Sequence, residues 1–141
     1  MMTAQDIKNK ALECGACRLI ESAASIADLV ALMRTPQGRE FCKKHRFPTL
    51  DILREYKDAI ADMGVFVDAG IIDVENDDNL IVAGDTLARV RYDKTDKPYH
   101  VIVMADAKVI VNACDYATCE ITLIGGEAQA SEWNNASVFI R

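Results

Sequence analysis

The residues best suited to metal chemistry are cysteine and histidine side chains in the first third of the chain. A C-x2-C pair is followed, 24 residues later, by a C-x2-H pair. Structural zinc sites use four sulfur or nitrogen ligands, and a gap of two residues lets each pair contact one ion. Free cysteine also packs as a small buried hydrophobe. The sequence therefore leaves two alternatives, a zinc site or packed thiols, for Cys14, Cys17, Cys42 and His45.

Oxygen-bearing side chains alternate over residues 73–79 and resemble part of a calcium-binding loop. They are Asp73, Glu75, Asp77 and Asn79. The segment lacks the mid-loop glycine and the closing bidentate glutamate of such loops. The same alternation arises when the outer face of a strand is acidic and runs into a turn.

Catalytic residues are hard to find in this chain. Its two histidines are His45 and His100, and no serine or cysteine stands in a motif that marks a nucleophile. One alternative function is still a small enzyme with a pocket between the two halves of the chain, near His100 or the Asp73–Asp78 run. The sequence favours a non-catalytic protein.

The net charge of −6 is distributed unevenly. Residues 1–64 carry 10 Lys and Arg against 9 Asp and Glu, whereas residues 65–141 carry 6 against 13. The second half would repel a phosphate backbone, which argues against nucleic acid as a partner. An acidic surface steers towards basic partners, so a basic protein is a candidate partner.

The N-terminal segment does not resemble a signal peptide. Charged residues interrupt its first 20 positions, namely Asp6, Lys8, Lys10, Glu13 and Arg18. No apolar run approaches the length of a membrane span. We therefore expect a cytoplasmic protein with reduced thiols, no membrane contact and, unless zinc is bound, no cofactor.

Helix-starting residues recur through the first half. Thr3, Ser25 and Thr35-Pro36 each precede a helical pattern, as does Phe47-Pro48-Thr49. The last of these predicts one helix with its buried stripe at Leu50, Leu53, Tyr56, Lys57 and Ile60. Gly64 is a plausible C-cap, so residues 1–64 are predicted to form a helical bundle.

Residues 65–141 have strand character. Short runs rich in β-branched residues, such as 65–67, 71–74 and 80–82, alternate with polar turns. The sequence thus predicts an α+β fold, in which the helical bundle (1–64) packs on a β-rich unit (65–141) as one compact molecule. That β-rich unit is either a short β-solenoid or an antiparallel sheet.

A weak repeat runs from about residue 105 to the end. The pattern is alanine, polar, small apolar, any, apolar, and it starts at Ala107, Ala117, Ala128 and Ala136, with Ala88 as an earlier copy. Turn-forming residues precede each start. The segment resembles short Ala-rich β-solenoid proteins, in which a small residue follows each corner. That resemblance implies a scaffold rather than a chemistry. An antiparallel meander or sandwich has strands at similar spacing and remains the alternative.

The C-terminal strands offer a surface for self-association. The chain reaches Phe139-Ile140-Arg141 while still in strand-like sequence. An unprotected strand edge invites pairing with another chain. We therefore expect a homodimer or trimer through the C-terminal strands, and a structural or protein-interaction function.

Overall fold

The chain is α+β, as its sequence predicts. A computed structural model describes residues 3–13, 25–94 and 97–141. The chain divides between residues 63 and 64 into two compact units. The first unit is helical and the second is a β-solenoid.

Five helices are described in the first unit. They are α1 (Ala4–Glu13), α2 (Ile26–Met33), α3 (Pro36–His45), α4 (Leu50–Glu55) and α5 (Lys57–Ala61). Four of them begin after a residue whose hydroxyl accepts a hydrogen bond from the N–H three positions later. The predicted caps are therefore confirmed at Thr3, Ser25, Thr35 and Thr49.

The predicted helix over residues 50–60 is interrupted at Tyr56. This residue leaves the helical region, with φ −102° and ψ 11°. Its N–H still donates to the Ile52 carbonyl at 3.3 Å, and its own carbonyl accepts from the Ile60 N–H at 3.0 Å. Hydrogen bonds therefore continue across the break. The predicted buried stripe is nevertheless divided between two short helices, α4 and α5.

Nine strands are described after Gly64. The odd-numbered strands are β1 (Val65–Val67), β3 (Asn79–Ala83), β5 (Tyr99–Met104), β7 (Thr118–Ile124) and β9 (Ser137–Ile140). The even-numbered strands are β2 (Gly70–Glu75), β4 (Thr86–Tyr92), β6 (Lys108–Ala113) and β8 (Glu127–Glu132).

These strands coil into a two-sheet β-solenoid. One sheet has the order β1-β3-β5-β7-β9 and the other has the order β2-β4-β6-β8. All strand pairings are parallel, so the antiparallel meander or sandwich alternative is wrong. The register advances by 16 residues from Val65 to Ile81 and by 21 from Ile81 to Ile102. It then advances by 20 from Val101 to Ile121 and by 19 from Ile121 to Ile140.

Inward-facing side chains stack from coil to coil. Leu80, Val101 and Ile121 form one row of the first sheet, and all three are fully buried. Larger side chains meet at one side of the core, where the rings of Tyr92 and Tyr99 stack with centroids 4.2 Å apart. Each coil needs its neighbours to cover its apolar face, which is the general requirement of a solenoid.

Small residues follow three corners, as the resemblance to Ala-rich solenoids implies. Ala107, Ala117 and Ala136 each come after two residues with positive φ, at 105–106, 115–116 and 134–135. The amide of each alanine donates to the carbonyl three residues earlier, at 3.0 to 3.1 Å. These hydrogen bonds close tight turns, and the alanine fills the narrow space just inside them.

Two of the predicted repeat alanines occupy a different position. Ala88 and Ala128 both pair with Val109 inside their strands, so they belong to a row of the core rather than to a corner. The corner position in register with Ala107 belongs to Gly126, because Lys108 pairs with Glu127. A Cβ at Gly126 would lie 2.5 Å from Val103 Cγ1, so the absence of a side chain meets the same steric need as alanine.

Candidate functional site

The proposed zinc ligands differ in their surroundings. Cys42 lies on α3 with 4% of its surface exposed, and burial raises the pKa of its thiol to about 12. His45 is exposed, and its ring lies against Phe41 with centroids 4.7 Å apart. Cys14 and Cys17 lie outside the described residues. Residues 3–13, 25–94 and 97–141 contain no group of three metal-ligating side chains, and the four-residue zinc set stays a prediction.

The acidic alternation over residues 73–79 follows the outer face of β2 and the turn after it. Asp73 and Glu75 are exposed at alternate positions of the strand. The carboxylate of Asp73 accepts two hydrogen bonds from Arg89 on the neighbouring strand, at 2.7 and 2.8 Å. The Asp77 carboxylate accepts the Asn79 N–H at 3.1 Å. Strand geometry and local hydrogen bonds thus account for the pattern.

His100 belongs to a polar row on the outer side of the first sheet. Pairing puts it beside Asn79 on β3 and Glu120 on β7. Its Nδ1 atom is buried and has no hydrogen-bond partner among the described residues. Glu120 lies 4.0 Å from the guanidinium of Arg141. One histidine and one carboxylate without a nucleophile do not make a catalytic set, and the enzyme alternative stays a prediction.

Exposed apolar side chains concentrate at the last coil of the solenoid, which we call the C-terminal end. Trp133, Phe139 and Ile140 are 63%, 52% and 45% exposed, and Tyr116 is 66% exposed. The Tyr116 N–H donates to the Asn134 carbonyl at 3.1 Å, which stacks its corner against the corner beside Trp133. Aromatic residues left in water in this way are typical of interaction surfaces.

The C-terminal end also leaves inward positions uncovered. Ile140 follows Ile121 in its row and lies on β9, the edge strand of the described sheet, where it is 45% exposed. Ala130 follows the buried Val111 in the other sheet and is itself exposed. The apolar interior of the solenoid therefore reaches solvent at this end.

Strand β9 is an edge strand with an incomplete ladder. The Ser137 N–H donates to the carbonyl of Ala117, which precedes β7, and the Arg141 N–H donates to the carbonyl of Ile121 in β7, each at 2.9 Å. Alternation in a parallel ladder directs the backbone groups of Val138 and Ile140 to the opposite, open side. On that side the Val138 N–H donates a hydrogen bond to Glu132 Oε1 at 3.3 Å.

Both edges of the second sheet are acidic. Strand β2 presents Asp73 and Glu75, and β8 presents Glu127 and Glu132. Lys108 lies 3.9 Å from Glu127, but both side chains are largely exposed, so this pair screens little of the charge. Charged edges oppose continued stacking of strands.

Sequence reasoning identified the C-terminal strand but missed Tyr116 and Trp133. Tyr116 is itself a corner residue with positive φ, and Trp133 directly precedes the positive-φ pair at 134–135. An aromatic residue inside a turn-forming segment is the signal that was available, since turns rarely bury a ring.

No described helix, within residues 3–13, 25–94 and 97–141, is both long and apolar enough to cross a membrane. No family model, curated protein or solved structure matches the chain.

Proposed function

We propose that the protein is a non-catalytic interaction module that assembles as a homodimer through the C-terminal end of its β-solenoid. The observation that carries this proposal is the edge strand β9, which combines an open backbone ladder with exposed Phe139 and Ile140. A second copy of the same strand would bond the open backbone groups and cover the exposed side chains at the same time. Of the dimer and trimer expected from the sequence, a two-fold dimer fits an edge strand best, because two identical edges close on each other.

The sequence of β9 is complementary to itself in antiparallel register. If Phe139 faces its own copy, Val138 lies opposite Ile140, and their outward backbone groups form a hydrogen-bonded pair. Phe139 then occupies a non-hydrogen-bonded pair with Phe139 of the second copy, where side chains are closest. Cross-strand aromatic pairs of this kind stabilise a sheet by roughly 0.2 to 1 kcal/mol each. Every cross-strand partner of the three central residues is apolar.

The charges on the second sheet favour contact between the C-terminal ends of two copies over head-to-tail stacking of the copies. Continuing the rows of the second sheet into a following copy would set Ile71 over Glu127 and Asp73 over Gln129. Neither contact would pair a carboxylate with a cation of the second copy, so head-to-tail stacking gains no ion pair between copies. Head-to-tail contacts also leave a free edge on every copy and grow into fibres, whereas a two-fold contact closes.

The dimer is expected to be weak. Phe139 and Ile140 are only about half exposed, so burying what remains contributes on the order of 1 kcal/mol for each side chain. Loss of translational and rotational freedom costs at least about 4 kcal/mol. Glu132 also competes with the partner strand for the Val138 N–H. We therefore expect dissociation at low micromolar concentration and assembly at high micromolar concentration.

Disulfide trapping tests the register directly. In the predicted pair, position 139 of one copy faces position 139 of the other at a Cα separation of about 4.5 Å, which a disulfide spans. The Phe139→Cys variant should form a covalent dimer under mild oxidation. The control is Ile71→Cys, at a side chain that is 67% exposed on β2. Equal cross-linking of both variants, or none above wild type, would overturn the proposed contact.

Analytical ultracentrifugation tests the assembly without a covalent bond. The Phe139→Glu variant sets two carboxylates face to face across the two-fold axis and should stay monomeric at high micromolar concentration. The matched Ile71→Glu variant should dimerise like wild type. Glu132→Ala should dimerise more strongly, because the Val138 N–H is released. A wild-type protein that stays monomeric at high micromolar concentration would refute the proposal.

A further inference from the structure

The helical unit contains an apolar cavity of about 110 Å³. Its wall includes side chains from the first four helices, among them Ile7, Ala11, Val30, Met33, Cys42 and Ile52. Each of these six residues is at most 9% exposed, so they form the inner wall of a space whose other side opens towards solvent. Protein interiors are normally packed to the density of organic crystals, and a void of this size is unusual.

Short side chains at central positions account for the space. Ala11 on α1 is fully buried, and Cys42 on α3 is nearly so. A larger residue at either position would project into the cavity. The turn from α2 to α3 cannot close further, because a Cβ at Gly38 would already lie 1.7 Å from the Leu32 carbonyl oxygen. The described side chains of these helices leave the space unfilled.

The wall has little to offer a polar ligand. The Thr35 hydroxyl donates to the Leu32 carbonyl at 2.7 Å and accepts the Gly38 N–H at 3.0 Å. The amide-bearing Gln37 is an exposed residue at the margin. The Cys42 thiol is neutral at physiological pH, because burial raises its pKa to about 12. Water requires two to four polar partners to occupy a cavity stably, and the described part of this wall is almost entirely apolar.

Partly buried residues mark the outer side of the space. Phe41, Pro48 and Tyr56 line it and are each half-buried. The Phe41 ring packs edge-on against Phe47 with centroids 6.1 Å apart. Rotation of an aromatic side chain that has one face in solvent is fast, so a small ligand has a route to the interior.

We propose that this cavity is a binding site for one small, uncharged, apolar molecule or group, about the size of a single aromatic ring. An engineered cavity of about 150 Å³ with a similar lining stays dry and binds benzene or xenon. The space of about 110 Å³ admits a ligand of that class and excludes fused rings and long chains that would have to enter completely. The site belongs to the helical unit, so the proposal is independent of the dimer contact on β9.

Benzene and xenon are the probes of choice, with phenol as a polar analogue of benzene. We expect benzene to raise the melting temperature of the full chain saturably, and phenol to do so much less, because burying its hydroxyl against a mainly apolar wall is costly. Xenon should shift NMR signals of methyl groups on Val30 and Ile52. These are properties of the wild-type protein and do not require a variant.

Filling the cavity should abolish binding. The Ala11→Leu variant occupies the space from α1, and Cys42→Leu occupies it from α3, so failure of one variant to fold leaves the other as a test. The matched control is Ala31→Leu, at an exposed position of α2, which should bind benzene as wild type does. Absence of any benzene or xenon effect in wild type, or an undiminished effect in a folded Ala11→Leu or Cys42→Leu variant, would overturn the proposal.

Discussion

Raising the pH from 8 to 10 should destabilise the protein through two buried thiols. Burial raises the pKa of Cys42 and of Cys119 from 9.0 to about 12. Cys42 lies in the helical unit, and Cys119 is fully buried in the solenoid between Tyr99 and Val138 of its row. Each thiol therefore binds its proton more tightly in the folded state than in the unfolded state.

The sign and size of the effect follow from proton linkage. A raised folded pKa contributes stability that is complete below pH 9 and is lost as the pH rises towards 12. At pH 10 the unfolded thiol is mostly ionised, which costs the folded state about 1.4 kcal/mol for each cysteine. Both cysteines together give about 3 kcal/mol. Burial raises the pKa of Tyr92 as well, but its unfolded value of 10.0 delays that contribution to higher pH.

Urea denaturation followed by circular dichroism at pH 8 and pH 10 measures this loss. The Cys42→Ala and Cys119→Ala variants should each lose about half of the pH dependence, although both are less stable at pH 8 because they create cavities. Lysine titration affects all variants alike and cancels in the comparison. The raised thiol pKa values would be refuted if wild type were equally stable at both pH values. They would also be refuted if a variant carrying both Cys42→Ala and Cys119→Ala kept the pH dependence of wild type.

Three further substitutions test individual features of the solenoid, each by urea denaturation at pH 8. Ala117→Leu should destabilise by about 1 to 3 kcal/mol, because the corner it fills is fully buried; a neutral result would mean that the corner is open. Ala105→Gly should stabilise by about 0.5 to 1 kcal/mol, since φ of 49° is strained for alanine, and destabilisation would contradict that backbone conformation. Asp73→Ala should cost less than about 1 kcal/mol, because the Arg89–Asp73 ion pair is exposed, and a larger loss would give that pair a structural role.

Local signals in the sequence predicted much of the fold. The capping residues Ser25, Thr35 and Thr49 act through hydrogen bonds to N–H groups three positions away, so sequence alone identifies them. The corner at Asn134-Asn135 is equally local, because asparagine tolerates positive φ. Features that depend on neighbours in sequence are thus predictable without knowledge of the tertiary structure.

Strand direction was not predictable, because it depends on distant pairing. Strands that recur every 8 to 12 residues suit a meander as well as a solenoid. The coil length varies from 16 to 21 residues, and this irregularity conceals the true period, which spans two strands. One corner was also missed because Gly126 takes the place of the expected alanine. Ala128, two residues later, was therefore mistaken for the corner residue.

The candidate sites depended on three-dimensional placement in a similar way. Two-residue spacing pairs Cys42 with His45 in sequence, but the first is buried and the second is exposed. The cavity of the helical unit arises from the summed volume of side chains on several helices, which no periodicity reveals. Strand-like residues near the C-terminus predicted a strand there, which is β9, whereas the complementarity of Val138 and Ile140 requires the register of β9.

Native mass spectrometry of the untagged protein, prepared without chelator at high micromolar concentration, tests assembly through β9. It reports subunit number together with any bound zinc or small molecule. We expect a dimer for wild type and a monomer for Phe139→Glu under the same conditions. A wild-type monomer, or a dimer that survives Phe139→Glu unchanged, would contradict assembly through β9.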